Sequence, residues 1–241
     1  MNFSASPEST FTGRLLRFLL RVIPQGTRMP ILQGPASGLR WIVGAGNHGC
    51  WLGTYEYERS RAFAQSIARD DVVFDIGAHV GYYTLIAAKR AGPDGKIFSF
   101  EPLPDNFVLL HKHVAINHLA NVNVMEKAVG AQNRRAKFSA STSRYQGRIA
   151  DDGVLEVEVI TLDSLWKADI VPAPTVIKMD VEGAEFDALQ GAREMLSATH
   201  ATIFLSTHGD EVRRQCYDLL ESLTYHVMVD SNDSAEFVAM A

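Results

Sequence analysis

Acidic residues in this sequence fall repeatedly at the ends of short apolar runs, where a parallel sheet would expose them to a ligand. The first is Asp75, in the stretch DVVFDIGAHVGYYTL over residues 71–85. Val72, Val73 and Phe74 have the β-branched and aromatic character of a buried strand, and Gly77 and Gly81 let the backbone turn tightly and approach a ligand. A phosphate-binding dinucleotide loop reads G-x-G-x-x-G, whereas here the first glycine position holds Asp75 and the last holds Val80. A carboxylate at that point repels a diphosphate. S-adenosylmethionine, with a sulfonium, an ammonium and no phosphate, fits such a loop better than NAD. A glycine pair alone also serves close helix–strand packing, so the weight rests on the acids further along the chain.

Lys96 to Phe100, KIFSF, is a second strand-like run, and Glu101 closes it 26 residues after Asp75. In a strand–helix–strand unit an acid at about this distance, ~20 residues in the dinucleotide case, reaches the tip of the neighbouring strand and can bind both hydroxyls of a ribose. The third group lies in IKMDVEGAEF, where Asp180, Glu182 and Glu185 gather around Gly183. Three carboxylates so close repel one another unless a cation, hydrogen-bond donors or solvent offset the charge. A metal, a sulfonium or a cationic substrate would do so; Glu182 and Glu185 also suit the first turn of a following helix. A divalent ion on Asp180 and Glu182, polarising a sugar diol, is one expectation. For a proton acceptor the sequence offers His208, Asp180 and His79, and a histidine near neutral pKa at a strand tip suits that task.

The elements that must position these residues alternate in type. Ser60 to Arg69 reads as a helix and Val72 to Phe74 as a strand. They are followed by a helix from Tyr82 to Ala91, the strand at Lys96, a helix from Pro104 to Asn117 and a strand at Val122 to Lys127. Ala136 to Ala140 and Leu155 to Thr161 read as an antiparallel pair around a polar loop. Thr175 to Met179 is a buried strand, followed by one helix from Glu185 to Leu196, a strand at Ala201 to Leu205, a helix from Asp210 to Leu223 and a closing hairpin, Tyr225 to Val229 with Glu236 to Met240. This order predicts an α/β fold, a mainly parallel sheet with helices on both faces and right-handed crossovers. Its ligand belongs at the carboxyl ends of the strands.

Composition narrows the classes. The 241 residues, 46% hydrophobic and 21% charged, suit one large core with an N-terminal extension: residues 1–59 as extension and 60–241 as the main domain. A formal charge of −5, without interleaved basic and aromatic residues, argues against nucleic acid as partner. Two cysteines, Cys50 and Cys216, lack metal-ligand spacing and suit a reducing cytoplasm. RLLRFLLRVI at 14–23 is an amphipathic helix pattern whose arginines exclude a signal peptide and a membrane span. It is expected to pack on the main domain or on a dimer partner rather than on a membrane surface.

The blocks FDIGAHVGYYTL, FEPLPDNFVLLHKHVAIN, KAVG and IKMDVEGAEFDALQGA together resemble the FkbM-type S-adenosylmethionine-dependent methyltransferases, and LGTYE at 52–56 resembles their upstream element. The resemblance implies a seven-stranded, Rossmann-like class I methyltransferase sheet and transfer of methyl to a hydroxyl of a small molecule, a sugar or natural product. It implies that Asp75, Gly77 and Gly81 line the methionine end of the cofactor, with Tyr83 and Thr84 near its carboxylate and Glu56 near its ammonium. Glu101 would take the ribose, with Leu103 on one face of the adenine and Ala128 and Val129 on the other; Asn106 and Asp180 also match the pattern. His79 departs from it, since the family commonly has Asn there. The acceptor pocket is expected from Pro24 to Trp51, Ser141 to Gly153 and the segment after Leu205, where Trp41, Trp51 and Tyr145 could stack on a sugar or fill the core. Two other readings stay open: an NAD-dependent oxidoreductase, and a non-catalytic module that binds S-adenosylmethionine.

Overall fold

Neighbouring residues of the strand Val72–Ile76 enter different cores: Phe74 and Ile76 join one buried cluster and Val73 another. A strand that buries both of its faces belongs to a sheet covered on both sides. The structure, a computed structural model, describes residues 23–140, 147–149, 155–230 and 233–241. The amphipathic pattern at 14–22 and most of the polar loop, with Tyr145, lie outside those residues.

A hairpin of β1 (Arg28–Pro30) and β2 (Arg40–Ile42) leads through α1 (His48–Leu52) and α2 (Tyr57–Ser66) into β3 (Val72–Ile76). Then come α3 (Tyr82–Ala91), β4 (Lys96–Phe100), α4 (Pro104–Ile116) and β5 (Val122–Met125). A separate sheet holds β6 (Ala128–Val129), β7 (Arg134–Ala140), β8 (Gly147–Ile149) and β9 (Leu155–Ile160), and α5 (Leu162–Lys167) returns the chain to the main sheet. The second half runs β10 (Val176–Met179), α6 (Glu185–Gln190), α7 (Arg193–Thr199), β11 (Thr202–Ser206), α8 (Asp210–Ser222), β12 (His226–Val229) and β13 (Glu236–Met240).

The main sheet has seven strands in the order β12-β13-β11-β10-β3-β4-β5. All but β13 point the same way, and β13 pairs antiparallel with both neighbours. The chain builds outward from β3 to β5, then restarts at β10 on the other side of β3. That reversal opens a crevice at the strands' carboxyl ends, between the tips of β3 and β10. The expected antiparallel pair is β7 with β9, in register Arg134↔Val159 through Phe138↔Leu155.

The segment before β3 is welded to the main core. Trp41 is fully buried in the same cluster as Phe63, Leu85 and Ile97, and its ring stacks on His113 of α4 with centroids 4.0 Å apart. His113 accepts from the Ile42 amide through Nε2 at 3.0 Å and lies 2.7 Å from the Val80 carbonyl through Nδ1, so it holds β2 against the loop after β3. The carbonyl contact requires the proton on Nδ1. Burial drives the pKa of this imidazole down to about 4.

Four elements differ from the sequence expectation. The helix expected over Glu185 to Leu196 is two helices, because a side chain at Gly191 would sit 2.0 Å from the Gly130 carbonyl oxygen and because Asp163 caps a new start. Its carboxylate accepts from the amides of Glu194 and Met195 at 3.1 and 2.8 Å. The short helices α1 and α5 lack the length that makes periodicity visible. Helix α2 begins at Tyr57, three residues before the expected Ser60, after Glu56 turns into the left-handed region at φ 42°.

Candidate active site

The tips of β3, β4 and β10 are bonded to one another before any ligand is considered. The amides of Gly77 and Ala78 donate to the Phe100 carbonyl at 3.0 and 2.9 Å, and the Asp180 amide donates to the Ile76 carbonyl at 3.0 Å. Gly77, at φ 75°, passes so close to Asp180 that a Cβ there would lie 1.8 Å from the Asp180 carbonyl oxygen. Only glycine fits. Beside these tips lies a cavity of about 200 Å³.

Ten of the expected residues line it: Gly77, His79 and Tyr83 after β3, Glu101, Leu103 and Asn106 after β4, Ala128 and Val129 in β6, and Asp180 and Glu182 after β10. Sequence reading did not single out Asn47, Phe138 or Lys178, which also line it, whereas Lys127, the carboxyl end of the expected strand from Val122, lines it beside Ala128. Lys178 sits mid-strand in IKMD, and nothing in its spacing reveals that it shares a face with Asp75. The expected acceptor segment contributes Gly46, Asn47 and Cys50 to the wall, while Trp41 and Trp51 are core residues.

Asp75, Gly81 and Thr84 lie behind the wall rather than on it. Asp75 is wholly buried, accepts from the Thr84 hydroxyl at 2.6 Å and stands opposite Lys178 across the β3–β10 pair. Burial raises its pKa, and the Lys178 ammonium and the Thr84 hydroxyl pull back against that rise. Gly81, at φ 97°, ends the turn against Leu110, whose Cδ1 would meet a Cβ at 2.5 Å. Glu56 is also off the wall and accepts from the Tyr83 phenol at 2.6 Å.

Glu101 is the best-held acid on the wall. Its Oε2 accepts from the His79 amide at 2.8 Å, and its Oε1 accepts from the Leu103 amide at 3.0 Å and the Asn106 side-chain amide at 3.2 Å. It is 4% exposed, and burial lifts its pKa to about 7 against the pull of those three donors. A carboxylate offers about four lone-pair directions, so one acceptor position on Oε2 stays open to a ligand hydroxyl.

The acids after β10 are balanced from within the protein. Lys178 Nζ donates to Asp180 Oδ2 at 3.3 Å and lies 5.0 Å from the centre of the Tyr83 ring. His208, in the loop after β11, places Nδ1 2.9 Å from Oε1 of the fully buried Glu185, and Nε2 3.8 Å from Asp180 and 3.6 Å from Glu182. The Glu185 bond, and then the surrounding carboxylates, raise the His208 pKa to about 8 although partial burial opposes this. Desolvation would raise Asp180, but Lys178, His208 and Arg59 together outweigh it and hold the carboxyl below its usual range. Asp180, Glu185 and His208 offer ligand atoms within 4.8 Å of one another, a grouping in which Glu185 replaces the expected Glu182. With an ammonium already on Asp180 and Glu185 Oε1 already accepting from two amides, those of Val181 and Gly183, besides facing His208, this donor set fits a divalent ion poorly.

A family model for the methyltransferase FkbM domain matches residues 75–230, from the tip of β3 to the end of the β12 strand. The chain belongs to the FkbM methyltransferase family. Among relatives of this chain, the hexuronic acid methyltransferase AglP of Haloferax volcanii is 27% identical over 150 residues, 61% of each chain. Methyltransferase 1 of Beauveria bassiana is 24% identical over 146 residues, 51% of this chain and 58% of that protein. The chain thus spans about three-fifths of the length of these two relatives. Of solved structures, methyltransferase FkbM from Methylobacillus flagellatus superposes with a TM-score of 0.51 at 18% identity, covering 81% of this chain and 56% of that one. Precorrin-6y C5,15-methyltransferase from Geobacter metallireducens gives 0.52 at 15% identity, over 77% and 89%. The fold of the chain is that of the class I methyltransferases. No helix among the described residues is long and apolar enough to cross a membrane.

Proposed function

We propose that this FkbM methyltransferase uses S-adenosylmethionine to methylate a hydroxyl of a small molecule, a sugar or natural-product glycoside. The observation that carries the reading is Glu101: a buried, multiply bonded carboxylate at a strand tip, on a cavity wall whose glycine loop lacks the phosphate-binding pattern. Its free acceptor capacity suits a ribose diol. Leu103, Ala128 and Phe138, members of one buried apolar cluster, with Val129 beside Ala128 in the chain, offer apolar lining to a flat base. Gly77 keeps the methionine end of the cavity open, and Lys178 and Asn47 are the polar wall residues available to its carboxylate. Glu56, buttressed by Tyr83, stands near for the ammonium.

When bound, the sulfonium supplies an already activated methyl group. The chain's own task is to hold the acceptor oxygen in line and to remove its proton, and positioning supplies most of the rate. Nε2 of His208, which does not itself line the cavity but lies 3.8 and 3.6 Å from the wall residues Asp180 and Glu182, is the proton acceptor in this reading. The nearby carboxylates then stabilise the imidazolium that forms. The name of AglP, a hexuronic acid methyltransferase, supports a sugar-type acceptor. The test is incubation with methyl-labelled S-adenosylmethionine and a panel of sugars, uronic acids and glycosides, with products read by mass. An acceptor that gains one methyl on oxygen supports the reading, and methyl transfer confined to nitrogen or carbon acceptors overturns it.

A further inference from the structure

Resting on the base role proposed for His208, we infer that Glu185 is the positioning residue that fixes the imidazole with its proton on Nδ1 and its lone pair on Nε2. Glu185 is wholly buried, an expensive place for a carboxylate unless bonds compensate it. Three do, all on one oxygen: the amides of Val181 at 3.3 Å and Gly183 at 3.0 Å, and Nδ1 of His208 at 2.9 Å. The two amides leave that oxygen only one way to face, toward the imidazole. An acid that merely began the helix would project into solvent and would not spend buried charge on a half-exposed histidine from another loop.

The second oxygen, Oε2, is buried and has no hydrogen-bond partner among the described residues. All the compensation therefore falls on Oε1, where His208 is the one side-chain donor beside the two amides. This is the base-and-orienter arrangement in which the outer acid holds one ring nitrogen so that the other faces the substrate. The charged or titratable groups facing the pair are Asp180 and Glu182 on the Nε2 side and, from α8, the buried thiol of Cys216, whose pKa is pushed up to about 12 and which stays neutral.

The experiment is nitrogen-15 spectroscopy of the histidine rings in the full chain with S-adenosylhomocysteine added, for wild type and Glu185→Gln. The wild type is expected to show neutral His208 as the Nδ1–H tautomer with a midpoint near 8. Glu185→Gln should lower the midpoint toward the ordinary ~6.5, mix the tautomers, and cut turnover of a methyl glycoside mixture on the order of 10²-fold. Unchanged midpoint and tautomer in the variant would overturn the inference. Should Glu185→Gln not fold, the wild type alone decides, because a neutral ring protonated on Nε2 contradicts the geometry. His208→Ala separates the two claims. If it turns over as wild type does, the base reading falls, whereas a dead His208→Ala beside an unaltered Glu185→Gln removes only the role of Glu185.

Discussion

The backbone amide of His79 donates to Oε2 of Glu101 at 2.8 Å, so the loop after β3 is fastened to the tip of β4 by the carboxylate that faces the cavity. The bond uses no side-chain atom of His79. The family's common Asn and this chain's His can therefore make the same link, provided the residue accepts a left-handed backbone, which His79 does at φ 51°. Asn is the residue that tolerates that conformation best after glycine.

His79→Asn is accordingly expected to keep the affinity for S-adenosylhomocysteine within about threefold and to raise stability by roughly 0.5 kcal/mol. Calorimetric binding and a urea titration on the same samples check both halves.

Glu101→Gln should weaken S-adenosylhomocysteine roughly a hundredfold, because charge-assisted bonds to the ribose become neutral ones and one acceptor turns into a donor. The pH dependence has a definite sign. With a folded pKa of about 7 against an ordinary 4.5, Glu101 favours the folded state at acid pH and gives up that contribution as pH rises from 4.5 through 7. The ligand prefers the ionised acid. Binding to the wild type should therefore weaken as pH falls below about 7, and binding to Glu101→Gln should lose that slope.

Gly77→Ala brings a methyl against the Asp180 carbonyl in a backbone region that alanine avoids. A loss of at least ~2 kcal/mol in stability and of measurable cofactor binding is expected. A chemical-denaturation curve that overlays the wild type would contradict the close approach.

His113 sets an acid limit on the fold. Its folded pKa of about 4 lies below the ordinary 6.5, so its contribution is complete above 6.5 and is lost as pH falls from 6.5 toward 4. The window corresponds to on the order of 3 kcal/mol. His113→Leu leaves the Ile42 amide and the Val80 carbonyl without this partner; it should be less stable at pH 7 by about 2 kcal/mol and should respond less to acid over the same window.

Much of the fold and the site is legible in the residues, for reasons that also mark the limits. Strands β3, β4, β10 and β11 are predominantly apolar runs that end in or just before an acid or a polar turn, and buried parallel strands leave that signature. Glu101 stands out by its distance from Asp75, because a strand–helix–strand unit has a nearly fixed length. The break between α6 and α7 is hidden, since it depends on Gly130 and Asp163, which approach Gly191 only in the folded chain. The same limit applies to Asp75. Its position at the strand end is readable, but facing Thr84 rather than the cavity depends on which side of the sheet α3 packs. Likewise, the carboxylate crowding around Gly183 poses a charge problem, and its answer, Lys178 from mid-strand and His208 from the next loop, lies across the sheet.

The measurement that bears most directly on the cofactor assignment is isothermal calorimetry of the protein with S-adenosylmethionine, S-adenosylhomocysteine and NAD in parallel. Saturable binding of the two adenosyl sulfur compounds, roughly a hundredfold weaker in Glu101→Gln, and no heat from NAD are expected. Tight uptake of NAD with none of the adenosyl compounds would contradict the assignment.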